Sequence, residues 1–331
     1  MERSPERIIL SRTDSIGDVM LTLPLAGLLK QWFPNIHITF LGRSYTAPIL
    51  RCCEHVDSIL TMEELEANNT ADAVAKLRDL HADAIVHVFP EQRVAQWAKK
   101  AAIPIRIGTS HRWWHWFTAN ERVSFSRKNS DLHEAQLNVK LLAPFGITDQ
   151  PSISELAALT GFRRIAPDRT VSDLVRSDRK CVILHPRSKG SAAEWGLDRF
   201  TELIELLDPE VYQVIITGTA SEASEYRYGL PVHLPHVTDT GGKLNLDQLI
   251  ALIGASDALI AASTGPLHIA AACGVKAIGL YPTQRPMHPG RWSPLGKDVH
   301  VLVNETAKEL DVNKQVHAIL PSEVLKVLSA N

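Results

Sequence analysis

Two rhythms of apolar and polar positions alternate along the chain. Short apolar runs with β character fall at residues 7–11, 37–41, 84–88 and 103–107, and stretches with helical period fall at 18–33, 69–80, 91–101 and 132–142. Strand and helix taking turns at this spacing predict a parallel sheet with helices on both faces. Pro24 lies inside the first helical pattern, where a proline ring predicts a kink. From residue 146 to 180 the pattern weakens around Pro151, Gly161, Pro167 and a charged run, as expected of an interdomain connection.

The alternation then restarts. Strands are expected at 181–185, 211–217, 258–260 and 276–280, and helices at 198–207, 246–254 and 265–273. The α/β chain therefore divides into a doubly wound, Rossmann-like domain at 1–160, a linker at 161–180, a second such domain at 181–310, and a helical tail at 311–331 expected to pack back on the first domain. Two such units facing a central cleft put the expected site in that cleft.

The first strand-to-helix junction is the richest local signal. An apolar run stops at Ser11, a short polar loop leads to Gly17, and an amphipathic run begins at Asp18. Open α/β folds keep ligands at this edge of the sheet. A glycine admits close backbone approach, and a carboxylate on a first helical turn is favoured in the charged form that accepts a proton. Asp18 is thus a candidate general base, and equally a candidate helix cap.

A second constellation, Ser263-Thr-Gly-Pro-Leu-His268, follows an apolar strand and opens a helix of small residues. Hydroxyls, glycine and proline at a helix start leave N–H groups facing outward, which suits a phosphate or diphosphate. Ser263, Thr264, Gly265 and His268 are candidates for it, against an ordinary capped helix with a core histidine. Gly218 opens a similar loop, where Glu222 could hold ribose hydroxyls or serve as a first-turn helix glutamate. Thr240-Gly-Gly-Lys243 resembles a fragment of a phosphate loop without its spacing.

Composition narrows the class. The 331 residues are 45% apolar and 22% charged, with formal charge -2. That balance speaks against bulk nucleic-acid binding, which needs a strong positive field. The mixed-charge start and four cysteines without metal spacing predict a cytoplasmic protein. The most apolar long window, 258–275, is broken by Ser263, Thr264, Gly265, Pro266 and His268 and is not expected to span a membrane.

Taken in order, several of these residues resemble glycosyltransferase family nine, the ADP-heptose:lipopolysaccharide heptosyltransferases and their relatives. The likeness runs through Ser15-Ile-Gly-Asp18 with Leu23-Pro24, His133-Glu134 with Asn138, Val182 to Pro186 with Trp195, Gly242-Lys243, Thr264-Gly265 with His268 and Ala270-Ala271, and Tyr281-Pro282-Thr283. It implies a GT-B architecture and an inverting transfer of heptose or a related sugar. The donor would be a nucleotide diphosphate, ADP-heptose or similar, and the acceptor a lipid-linked or polysaccharide glycan such as the lipopolysaccharide core. It implies no metal and no cofactor. Asp18 would be the base, Gly17 and Lys243 would lie at the donor, Glu222 near the nucleoside, and Thr264, Gly265 and His268 beside the leaving diphosphate.

Two positions depart from the family. Ser263 stands where an aspartate is usual, and Ala193 stands where a lysine two residues before the tryptophan usually neutralises the leaving group. Lys189, or Arg187 beside Ser188 in the same loop, is expected to supply that charge. A nucleotide-sugar epimerase of the same shape and a non-catalytic nucleotide-sugar binder are the alternatives.

His111-Arg-Trp-Trp-His-Trp-Phe117 gathers three of the seven tryptophans with basic neighbours. Such a group suits a membrane interface or an anionic acceptor, with Arg112, Trp113 and His133 as acceptor contacts; it also suits domain packing. His111 and His115 have helical metal spacing, but no acidic residue is placed to complete a site. The proline-rich stretch 281–292 is expected to form a long loop.

Overall fold

The computed structural model describes residues 4–128 and 130–330. The chain forms two compact units, meeting in sequence at Arg164 and Ile165. In the first, strands β1 (Arg7–Ser11), β2 (His37–Gly42), β3 (Ser58–Thr61), β4 (Ala84–His87), β5 (Ile105–Thr109) and β6 (Glu121–Val123) form one sheet in the order β3-β2-β1-β4-β5-β6. In the second, β7 (Lys180–His185), β8 (Tyr212–Ile216), β9 (Val237–Asp239), β10 (Ala258–Ala262), β11 (Lys276–Leu280) and β12 (Val299–Leu302) run β12-β11-β10-β7-β8-β9. All ten strand pairings are parallel.

Both sheets reverse direction once, between β1 and β4 and between β7 and β10. At such a reversal the loops leaving the two neighbouring strands diverge to opposite faces and open a crevice at the carboxyl edge. The central strands are buried on both faces because helices cover them. In the first unit Ile9 and Ile85 pack with Val74, Leu77, Val94 and Trp97. In the second Val182, Val214 and Ile260 pack with Trp195, Phe200 and Tyr226.

Several expectations are corrected. The first helical pattern is two helices, Ile16–Met20 and Leu23–Trp32, and Pro24 sits in the first turn of the second, where its missing N–H costs nothing. Part of the expected linker belongs to the first unit: Phe162 bridges Cys53, and the N–H groups of Arg163 and Arg164 donate to the Cys52 carbonyl. The tail breaks at Pro321 into Val312–His317 and Pro321–Ser329, and Val316, Ile319, Val324 and Leu328 are buried in the core of the second unit. The tail therefore packs on its own unit because its apolar stripe completes the face of the helix Leu197–Leu206. The stretch 281–292 ends in one helical turn, Pro289–Trp292.

Candidate active site

In the first unit the loop after β1 carries the chemistry. Arg12 is 4% exposed, and its guanidinium donates to Asp14 Oδ1 at 2.7 Å and to Asp18 Oδ1. It also approaches Glu134 Oε1 at 3.5 Å. Ser15 Oγ donates to Asp18 Oδ2 at 2.5 Å, and Thr22 Oγ1 donates to the Asp18 carbonyl at 2.8 Å. Glu134 is held a second time by Arg127 at 2.8 Å, and Arg127 reaches Asn138 Oδ1 at 3.0 Å. Asp18 is therefore gripped on both oxygens, so its carboxylate has one orientation.

Burial alone lowers the pKa of a guanidinium, yet Asp18, Asp14 and Glu134 outweigh it and push Arg12 above its ordinary value. Asp14 is raised to about 6, first by burial and then by the charge of Asp18, with Arg12 opposing. Gly17 lies on the same short helix as Asp18, half-buried.

The parallel register brings further polar groups to this edge. Ser11 on β1 pairs with His87 at the end of β4, so both side chains share one face. The His87 and His115 rings lie 5.6 Å apart between centroids, and Trp114 is 6.0 Å from His115. His115 Nδ1 bonds to the Thr109 carbonyl at 2.9 Å. Gly108 makes room for that ring, since a Cβ there would stand 2.5 Å from His115 Nδ1. Ser11 Oγ, both His87 nitrogens, His115 Nε2 and Trp114 Nε1 are buried with no partner among the described residues. Buried polar atoms of this kind are ordinarily satisfied by water or ligand. Burial, with smaller contributions from His115 and Arg106, lowers His87 to about 3, so the ring is neutral.

Arg112 and Trp113 follow β5 on an exposed segment, with Arg112 over the Trp114 ring at 5.6 Å. His133 directly precedes Glu134; it is buried, and its Nδ1 accepts from the Ala135 N–H at 3.3 Å as a helix cap.

In the second unit Arg187, Ser188, Ser263, Thr264, Gly265 and His268 lie on the segments after β7 and β10, the strands that flank the other reversal, and Gly218, Glu222 and Lys243 follow β8 and β9. Thr264 caps the nine-residue helix Gly265–Cys273, yet its side chain makes no capping bond, and its Oγ1 is buried with no partner among the described residues. His268, one turn on, is also buried. Ser263 bonds to the Tyr281 hydroxyl, which itself donates to the Trp292 carbonyl at 2.8 Å. The position where the family resemblance expects a carboxylate is thus filled by a neutral hydroxyl.

The loop after β7 is organised by Glu194. Its Oε1 accepts from Ser188 N at 2.8 Å and Ser188 Oγ at 3.0 Å, and its Oε2 accepts from Arg187 at 2.7 Å. Arg187 also pairs with Glu225 at 2.9 Å, so its charge is already matched. Lys189 is exposed at φ +51 and makes no ion pair among the described residues. Ala193 is 5% exposed inside the apolar core around Trp195, so its side chain faces away from solvent.

Glu222 takes the role of a first-turn glutamate. Its Oε2 accepts from Thr219 N at 2.6 Å and Thr219 Oγ1 at 2.8 Å in a capping box. Gly218 O accepts from Gly242 N at 2.9 Å, tying the two loops together, and Lys243 Nζ donates to the Asp239 carbonyl at 2.8 Å. Among the described residues no group of three His, Cys, Asp or Glu could hold a metal, and no helix is long and apolar enough to cross a membrane.

The buried Arg12 network and the His87 group escape sequence reasoning. The one local signal was a histidine closing an apolar strand at its carboxyl end.

Residues 73–318 match the model of glycosyltransferase family 9 (heptosyltransferase). Lipopolysaccharide heptosyltransferase 3 of Escherichia coli is 24% identical over 325 residues, covering 93% of this chain and 92% of that one. A family 9 glycosyl transferase of Veillonella parvula superposes with a TM-score of 0.78 at 19% identity, over 99% of this chain and 98% of that one. The ADP-heptose lps heptosyltransferase II of Escherichia coli superposes with a TM-score of 0.76 at 20% identity, over 97% of each chain. Two parallel six-stranded units of this kind are the GT-B architecture.

Proposed function

The chain belongs to glycosyltransferase family 9 and is a glycosyltransferase; from that premise we propose that it transfers heptose or a related sugar from a nucleotide-diphosphate donor to a lipopolysaccharide-core or similar lipid-linked glycan, inverting the anomeric centre. The observation that supports this reading is that, in each unit taken by itself, the loops at the sheet reversal carry polar groups of a kind the step needs. The first holds an oriented carboxylate, Asp18. The second holds a helix terminus with a buried hydroxyl, Thr264 Oγ1, and on the loop after the neighbouring strand β7 a cation, Lys189, neither of which has a partner among the described residues.

In the proposed step an acceptor hydroxyl oxygen attacks the anomeric carbon and forms the new glycosidic bond. The bond from that carbon to the diphosphate oxygen breaks, and its electron pair leaves with the diphosphate. The hydroxyl proton passes to Asp18, with Arg12 and Ser15 keeping the carboxylate aimed. The N–H groups at Gly265, the Thr264 hydroxyl and Lys189 meet the charge that develops on the leaving group. The donor class is supported by the relative named as an ADP-heptose enzyme, and the acceptor class by the relative named for lipopolysaccharide.

Purified protein incubated with ADP-, GDP- and UDP-sugars should release nucleotide only when acceptor is present, and Asp18→Asn should lower kcat by about 10²–10⁴-fold. Epimerisation without acceptor, or tight binding without turnover, would sink the reading; release undiminished in Asp18→Asn would remove Asp18 as base.

A further inference from the structure

We infer that the segment after β5 docks the protein on an anionic lipid bilayer, with Trp116 and Phe117 entering the headgroup region and the neighbouring arginines meeting lipid phosphates. Three of the ten exposed large apolar side chains among the described residues fall within residues 113–117: Trp113 at 65%, Trp116 at 59% and Phe117 at 68% exposed. The others are scattered along the chain, as single exposed apolar residues ordinarily are. The three are held together, since Trp113 lies 6.5 Å from Phe117 and Trp116 Nε1 donates to the Ser110 carbonyl at 3.1 Å. A rigid cluster of this kind loses little freedom when it is buried.

Charge identifies the partner. Residues 92–130 hold eight Lys and Arg against one acidic residue, Glu121, while the rest of the chain holds 27 against 36. The positive block thus flanks the aromatic group in sequence within a chain that is otherwise acidic; Arg93 pairs with Glu66 and Arg127 with Glu134, which leaves Arg112 and Arg122 as the cations held against that group's tryptophans. The Arg122 guanidinium stands 4.7 Å over the Trp116 ring and Arg112 lies 5.6 Å from Trp114, so cation and ring are presented together. Tryptophan with an apolar body and a polar N–H belongs at a membrane interface, and clustered arginines are attracted to anionic headgroups. A purely apolar partner would leave the arginines uncompensated, and a purely polar one would leave the three rings in water.

This deepens the reading of a lipid-linked acceptor by naming the surface on which that acceptor is met, and it rests on that reading for its purpose. Its test needs neither donor nor acceptor. Full-length protein is sedimented with vesicles of phosphatidylglycerol and phosphatidylethanolamine, and in parallel with vesicles of phosphatidylcholine alone. Binding to the anionic vesicles is expected, weakened by added salt and at least tenfold weaker to phosphatidylcholine. Trp116→Ser with Phe117→Ser should weaken binding at least tenfold at an unchanged melting temperature. Brominated lipid in the anionic vesicles should quench the tryptophan emission of the wild-type protein, a readout that requires no variant. Absence of binding to anionic vesicles, absence of quenching, or a wild-type dimer that the double substitution converts to monomer would overturn the inference. Transfer to a soluble acceptor fragment tests the enzymatic reading independently.

Discussion

The two units share a strand order and differ in how they treat charge at the reversal of the sheet. In the first, charge is internal and matched: Arg12 is buried among Asp14, Asp18 and Glu134, and Arg127 completes the set. In the second, among the described residues, Thr264 Oγ1 makes no bond and the Lys189 charge has no ion pair. Arg187, two residues before Lys189, is neutralised by Glu194 and Glu225. The contrast is that one edge holds its own carboxylate still, while the other leaves a hydroxyl and a cation without such a mate among the described residues, as the proposed leaving-group site requires. The same fold serves both because its carboxyl edge collects loops of free composition.

Breaking the first arrangement should have the larger effect. Arg12→Met would leave Asp14, Asp18 and Glu134 near one another without their shared cation, and removing one partner of a buried ionic set costs about 3–5 kcal/mol. Urea unfolding should register that loss, and kcat should fall as well because Asp18 loses its orientation. A change in unfolding free energy under about 1 kcal/mol would show that the network is not the support it is taken to be.

The second arrangement sharpens through Lys189→Ala. Removing one group that meets developing charge costs about 10²–10³-fold in kcat. The melting temperature should stay as in the wild type, because Lys189 is exposed and makes no ion pair among the described residues. Arg187→Ala should do the reverse, loosening the loop held by Glu194 with a smaller effect on rate. Equal rates for Lys189→Ala and wild type would return the role of cation to another residue.

What was legible in the sequence follows from the range of the interactions. Strand and helix alternation is local, so the doubly wound units could be read directly. The strands β3, β6, β9 and β12 were missed because each has three or four residues and forms only against a neighbour. Asp18 and Thr264 were legible as residues at the end of a strand and the start of a helix, and Glu222 was legible as a first-turn helix glutamate, while its capping box with Thr219 was not read. The ion set was not legible, because Arg12 and Glu134 are 122 positions apart and meet only after the sheet has formed. His87 beside Ser11 depends in the same way on parallel register.

The smallest effect tests the first unit from the side of protons, where a buried group and a half-buried one pull in opposite directions. His87 is lowered from 6.5 to about 3 by burial, so below pH 6.5 the unfolded chain binds a proton that the folded one does not, and stability falls as the solution is acidified. Asp14 is raised from 3.8 to about 6, chiefly by burial, so between those values the folded chain binds the extra proton, and stability rises on acidification. Between about pH 4 and 6 the two contributions cancel, each being at most about 1.4 kcal/mol per pH unit. His87→Phe should remove the first and leave a protein that gains stability as pH falls from 6 to 4, relative to wild type. Asp14→Asn should remove the second and leave one that loses stability over the same interval. Urea titrations at several pH values read both slopes. If the two substitutions shift the slope in the same direction, the opposition between the neutral histidine and the protonated carboxylate does not exist, and the first edge is not the balanced set of buried charges that distinguishes it from the second.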